Sequence, residues 1–282
     1  MDPLASMQRN LPDFANPPLI EVALSLQFEA LEDLRTPQLG LLWSEFRERF
    51  PNTEERAPLE SVIERFGVSR SSSPSVRMQL VETPPVPRVW FINQSGTELI
   101  QIQQDRFIHN WRKTGAGDEY PRYEHLRDTF VAELKVFQAT VERDQCGKLI
   151  PNQCEITYVN HLLAGEGWTT HEQLGVVISA VQSNVAIDGA IAHEDTRLIF
   201  RFVIHDDAGK PIGRLHANVE PAFRVGDKLP MFIFTLTARL QPAGNDIGDV
   251  LSCLDRGREC IVRGFAALTT PQMHSYWGRK DA

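Results

Sequence analysis

A chain of 282 residues with 42% hydrophobic and 23% charged side chains has the composition of a globular protein, long enough for one large domain or two lobes of roughly 140 residues. Its net charge of −8, from 29 basic and 37 acidic residues, excludes the broad cationic excess of a duplex-binding protein. No apolar run approaches the ~20 residues of a membrane helix, and prolines and acids stand where a signal peptide has its apolar core, so a soluble cytoplasmic protein with no membrane partner is expected.

Residues 1–16 read as a tail, with Met7 an alternative start and 1–6 left out of the fold argument. A first lobe, 17–146, opens with a strand in which Val22, Leu24, Leu26 and Phe28 alternate with Ala23, Ser25 and Gln27. Leu39, Leu42, Trp43, Phe46 and Phe50 form the apolar stripe of a helix that Pro51 stops. Short strands are predicted over Ser61–Phe66, Val76–Glu82 and Arg88–Asn93, with Gly67–Pro74 as the most mobile loop. The Asn93–Gly96 turn leads into one long strand, Glu98 to about Trp111, whose alternation shifts at a bulge near Asp105. A helix starting near Tyr120-Pro121 carries Leu126, Phe130, Leu134, Phe137 and Val141 on one side.

The second lobe, 147–282, repeats this order. Cys154–Leu162 is a strand, and Leu174, Val177, Ile178 and Val181 mark a short helix. A weak strand over Ile187–His193 precedes Leu198–His205, the Asp206–Gly209 turn, and strands Ile212–Val219 and Met231–Leu240. A long helix from about Ile247 places Val250, Leu254, Ile261, Phe265 and Leu268 in register, and Thr270-Pro271 caps a last turn in which His274 and Trp277 share a face, Trp277 packing back on the body. The predicted class is therefore α+β: two β-α-β-β-β-β-α units, a mainly antiparallel curved sheet with helices on one face, saddle-like or helix-grip-like, and the other face open.

Four cysteines are too few for a disulfide scaffold, and neither cysteine nor histidine spacing fits a metal, so no metal site and no cofactor are expected. Nucleophile-elbow, phosphate-loop, dinucleotide and zinc-helix motifs are all missing, and no catalytic residue is assigned. The strand residues Gln101, Gln103, Arg106, His109, Trp111 and Arg112 offer hydrogen-bonding and stacking groups for a partner, with His109 and Arg112 expected beside one concavity walled by Trp111. In the alternative reading Phe107 and Trp111 are core and His109 is their polar neighbour. Tyr158 and His161 are the second pair of candidates; His161 and Asn160 must face opposite sides, and Asn160-His161 alternatively bonds the loop 165–167.

The segments Pro17–Val22, Leu24–Phe28, Leu39–Trp43, Arg88–Phe91, Asp105–Lys113, Tyr120–Glu124, Thr157–His161, Leu268–Pro271, Met273-His274 and Trp277–Arg279 resemble those of an uncharacterised prokaryotic family described as sporadically distributed. The resemblance runs from Pro17 almost to the end, implies no activity or cofactor, and points to accessory genes such as defence or toxin-antitoxin modules. Composition and motifs together favour a non-catalytic binding protein whose partner, an unidentified protein or small molecule, sits on the open sheet face behind Ser25, Gln27, Gln101 and Gln103, with homodimerisation left open. The rival reading is an enzyme acting on a small or nucleotide-like ligand through His109 or His161 with Arg106 or Arg112 in an inter-lobe groove. Stacking of single strands on Phe107 and Trp111 is a third. Duplex DNA of random sequence should not bind at physiological ionic strength; submicromolar, steeply salt-dependent retardation in a gel-shift titration would contradict the charge argument.

Overall fold

The computed structural model describes residues 11–67, 85–181 and 191–280. Its strands are β1 (Leu19–Phe28), β2 (Asn52–Arg56), β3 (Arg88–Ile92), β4 (Glu98–Gln103), β5 (Arg106–Arg112), β6 (Pro151–Leu163), β7 (Leu198–His205), β8 (Pro211–Phe223) and β9 (Pro230–Leu240). All nine lie in one antiparallel sheet of order β2-β3-β4-β5-β1-β6-β9-β8-β7. Helices α1 (Thr36–Phe46), α2 (Tyr123–Arg143), α3 (Leu174–Val177), α4 (Ile247–Leu268) and α5 (Pro271–Tyr276) complete the α+β fold. None of the described helices is long and apolar enough to cross a membrane.

Alternation on each strand sends one set of side chains under the long helices. From β1, Val22, Leu24 and Leu26 are buried there, and β5 adds Phe107, whose ring centroid lies 5.1 Å from Phe137 and 5.8 Å from Phe130 of α2. On the other half Phe234 of β9 stacks on Phe265 of α4 at 5.7 Å. Helix α4 sits low on the sheet because Gly257 faces it: a Cβ there would stand 2.7 Å from Ile156 Cγ2. Asp246 caps this helix by accepting from Asp249 N, and Thr270 does the same for α5 by accepting from Met273 N. Trp277 then packs on Phe265 at 5.1 Å, as expected.

Several expected elements differ. The long strand 98–111 is two strands: Gln104 and Asp105 form a reverse turn, so Gln103 pairs with Arg106 and β5 folds back on β4. The turn contains no glycine or proline, which is why the sequence reads straight through it; Gln103 Nε2 donates to Asp105 Oδ1, and Phe28 N and Leu31 N donate to the Asp105 and Gln104 carbonyls. Ser61–Phe66 forms no strand, whereas the wholly polar Asn52–Arg56 does, as the exposed edge β2. The helix expected over 174–181 shrinks to Leu174–Val177, preceded by a 3-10 turn His171–Gln173. The strand expected at Ile187–His193 lies partly outside the described residues, and 191–193 is not strand; Val76–Glu82 and most of Gly67–Pro74 also fall outside. At the far edge β7 presents Ile199, Phe202 and Val203 to solvent.

The helix side also buries one ionic network. His109 Nδ1 lies 2.8 Å from Glu133 Oε2, and Arg49 Nη1 donates to Glu133 Oε1 at 2.7 Å, while Arg49 also binds Glu98. His109 is fully buried and Glu133 nearly so, so the pair joins β5 to α2 where water does not reach. Glu133→Ala should lower unfolding free energy by about 3 kcal/mol, because it leaves the fully buried His109 ring without its carboxylate and Arg49 with Glu98 alone. A urea titration checks this; a midpoint unchanged from wild type would mean the network is dispensable.

Candidate binding face of the sheet

Register decides which candidates share a face. Gln103, Arg106, Gln27 and Gln153 stand opposite one another across β4, β5, β1 and β6, and the next polar row runs through Ser25, Glu155, Arg239 and Arg214. These belong to the face away from the long helices, as do Gln101, Arg112 and His161. His109, Trp111 and Tyr158 belong to the helix face instead. The expectation that His109 and Arg112 flank one concavity is therefore corrected: the two residues are three apart, so the pleat puts them on opposite sides of the sheet. Trp111 is core, 5.5 Å from the Tyr120 ring, and Asn160 donates to the Phe234 carbonyl rather than to the loop 165–167. His161 remains half-buried on the polar face, where burial pushes its pKa down and favours the neutral ring.

The polar face is not bare. Residues 59–66, the run expected to be a strand, cross it transversely without joining any ladder. Leu59 N donates to Gln103 Oε1 at 2.9 Å, Val62 N to Gln27 Oε1 at 3.1 Å and Glu64 N to Gln153 Oε1 at 3.1 Å. Gln103 Nε2 returns a bond to the Leu59 carbonyl, and Arg106 holds the Glu60 carbonyl at 3.1 Å and the Gln27 side chain as well. The contacts advance in sheet order from β4 to β8. Seven extended residues cover about 24 Å, which matches five interstrand gaps of about 4.8 Å.

Glu64 ends the crossing. Its carboxylate is fully buried, accepts from Arg214, lies 2.7 Å from His216 Nε2 and stands 3.8 Å from Arg239 Nη1. Burial alone would raise its pKa, but the hydrogen bonds from His216 and Arg214 outweigh that and hold it below the usual carboxylate range. Phe66 follows, with the Arg214 guanidinium 4.6 Å above its ring.

Beyond this strap, Trp90 of β3 is half-buried with the guanidiniums of Arg56, Arg88 and Arg112 at 4.8, 5.6 and 6.0 Å from its ring centre. Arg56 pairs with Glu54, whereas Arg88 donates to Gln101 Oε1 at 2.8 Å and Arg112 to the Gly96 carbonyl at 2.8 Å, both neutral acceptors. Desolvation, then the nearby charges of Arg106 and Arg56, pull the Arg88 pKa down. The chemistry on offer is a flat aromatic ring ringed by cations.

Under the helices a separate cavity of about 80 Å³ is lined by Tyr120, Tyr123, Tyr158, Leu236, Arg258 and Phe265, among others. Tyr120 and Tyr158 hydroxyls are 3.1 Å apart and Tyr123 donates to Asp255 at 2.7 Å. Burial raises the pKa of all three phenols, so they stay protonated. The space is far below the several hundred Å³ of an ordinary substrate pocket, and no histidine lines it. No cluster of metal-ligating side chains occurs among the described residues, and the four cysteines are free thiols.

Of the candidates named from sequence, Gln101, Gln103, Arg106, Arg112 and His161 share this face, while Trp90, Glu64, Arg214, His216 and Arg239, which also belong to it, were not among them. The alternation of Arg214 and His216 with buried Leu215 and Ala217 carried that signal in β8; the strap, which lacks a period of its own kind, carried none. No protein-family model, curated protein or solved structure matches the chain.

The depressed Glu64 pKa has a definite sign: its anchoring is complete above the unfolded carboxylate value of about 4.3 and is lost as pH falls through the lower folded value. Glu155 also faces this cluster through Arg239, so protonation of Glu64 removes one of the two carboxylates that Arg214, His216 and Arg239 contact. Hydrogen exchange of the Leu59, Val62 and Glu64 amides, corrected for intrinsic rate, should lose protection as pH is lowered below about 4.3, before Leu24 and Ile156 in the sheet do. Simultaneous loss at all five would show that the strap does not open separately.

Proposed function

We propose that the protein is a non-catalytic binding protein whose partner is held on the polar face of the sheet. The observation that carries this reading is the cationic ring around Trp90: Arg88 and Arg112 have neutral acceptors and, among the described residues, no carboxylate within salt-bridge range, on a protein with net charge −8. Guanidiniums gathered beside a tryptophan repel each other unless a counter-group arrives, and an anionic or acidic partner supplies it. The polar rows beside them provide hydrogen bonds that apolar packing would not need. The enzyme reading through His109 or His161 requires its histidine on the side of the sheet that carries Arg106 and Arg112; His109 stands on the opposite side, so of those two His161 alone meets it.

The duplication belongs to the same proposal. From the centre outward the sheet runs β1, β5, β4, β3 on one side and β6, β9, β8, β7 on the other, with a long helix after β5 and after β9. Antiparallel β1 and β6 would straddle a pseudo-twofold axis, giving two lobes divided near residues 146 and 147 and the saddle-like form. The resemblance to a sporadically distributed prokaryotic family supports an accessory role in defence or toxin-antitoxin systems.

The test is capture of partners from the native cell extract by wild-type protein and by Arg88→Ala, Arg112→Ala and the double variant, with quantitative mass spectrometry. Each single variant should weaken the specific partner by about 1–3 kcal/mol, the scale of a charge-assisted hydrogen bond, with melting temperature nearly unchanged. An identical set of captured proteins on wild type and double variant would remove this face from the function.

A further inference from the structure

The strap is attached in an unusual way for a piece of a protein's own fold. It pairs with no strand edge, and Leu59, Glu60, Ser61, Ile63 and Arg65 are exposed. Its inward residues are Val62, Glu64 and Phe66, every second position, which is the period of an extended chain laid on a surface. The sheet does not read these residues through its backbone. It reads the strap's amides through side-chain carbonyls of Gln103, Gln27 and Gln153, and one carboxylate through Arg214, His216 and Arg239. Side-chain amides aimed at main-chain groups recognise any extended peptide, while the arginine and histidine cluster selects an acid.

We infer that this end of the sheet is a binding site for an extended acidic peptide of a partner protein, with the pattern apolar-x-Glu-x-aromatic, and that residues 59–66 occupy it as an intramolecular stand-in. This rests on the reading that the polar face is the binding face and names the occupant. Three features support it. The receptor side is built from rigid strands on both halves of the sheet, β4, β5, β1, β6, β9 and β8, whereas the strap is irregular chain. Arg106 is buried and donates to the neutral oxygens of Gln27 and Glu60, and its contact with the Glu60 main chain is one that any peptide carbonyl supplies in the strap's place. The strap contributes few buried side chains, so its removal uncovers the site without dismantling the core beneath α2 and α4. A partner segment that repeats the pattern and adds its own contacts displaces the strap, and the strap in turn keeps loosely matching peptides out.

The probe is a fluorescein-labelled synthetic peptide of residues 57–67, titrated by anisotropy into full-length protein. Wild type should bind it weakly, since the resident strap occupies the site at high effective concentration. Glu64→Ala should bind it at least tenfold tighter; Glu64→Gln, which keeps the side-chain shape, serves in the same assay if the alanine variant does not fold. The peptide with Ala in place of its own Glu64, or the protein variant Glu64→Ala with Arg214→Ala, should lose that gain. Hydrogen exchange at Val62 in Glu64→Ala should show the strap released. A released strap with no gain in peptide affinity would overturn the proposal, as would a strap that stays protected without its carboxylate. If the peptide fails while partner capture still depends on Arg88 and Arg112, the peptide reading falls alone; if capture is also indifferent to those arginines, both fall.

Discussion

The pairing of β1 with both β5 and β6 is the constraint on which the molecule depends. β1 lies between the two halves of the chain, and its central residues are buried on both faces: Val22, Leu24 and Leu26 under the helices, Ser25 and Gln27 on the polar side. A slip of one residue in either register would exchange those sets, placing glutamine under α2 and leucine among arginines. Because β6 continues the sheet into β9, the same register also fixes where Glu155, Arg239 and Arg214 stand relative to Gln27 and Arg106. The distances among polar groups contributed by chain segments more than a hundred residues apart therefore follow from one strand's alternation.

The two sides of the sheet solve different problems. Under the helices, desolvation is repaid by packing aromatic rings, and the buried His109-Glu133 pair is tied through Arg49 to Glu98. On the polar side, burial has been reached with amides and guanidiniums, which is tolerable where their donors and acceptors are met, although Arg106 Nε and Gln153 Nε2 stay without a partner among the described residues. The strap supplies many of these acceptors and donors. Its backbone acts toward the glutamines much as a neighbouring strand acts toward a ladder, although it lies across the strands.

How much of this was legible in the sequence follows from period. The apolar stripes of α2 and α4 and the alternation of β1, β6 and β9 were read correctly because a single repeat governs each for two turns or more. The β4–β5 hairpin escaped because Gln104-Asp105 has no glycine or proline to mark a reversal; the alternation after it still sets Phe107, His109 and Trp111 together, and it was joining His109 with Arg112 in one concavity that ignored the pleat. Residues 61–66 do alternate, and were taken for a strand; extended chain and strand share their period, and only the partners differ. Glu64 could not be recognised because its importance comes from Arg214, His216 and Arg239, one hundred and fifty residues or more away. Trp90 escaped for a related reason: an isolated tryptophan in a short strand reads as core until its neighbours are known.

The two edges of the sheet are unlike. β2 ends it with Asn52, Thr53, Glu54, Glu55 and Arg56, all exposed, a run of charges that resists a further strand; β7 ends it with exposed Ile199, Phe202 and Val203. This polarity sets the stoichiometry of any lateral growth. A sheet that can extend from one side only can meet a second copy edge to edge, β7 against β7, and the pair then presents charged β2 edges at both ends. Growth confined to that edge would end at two chains.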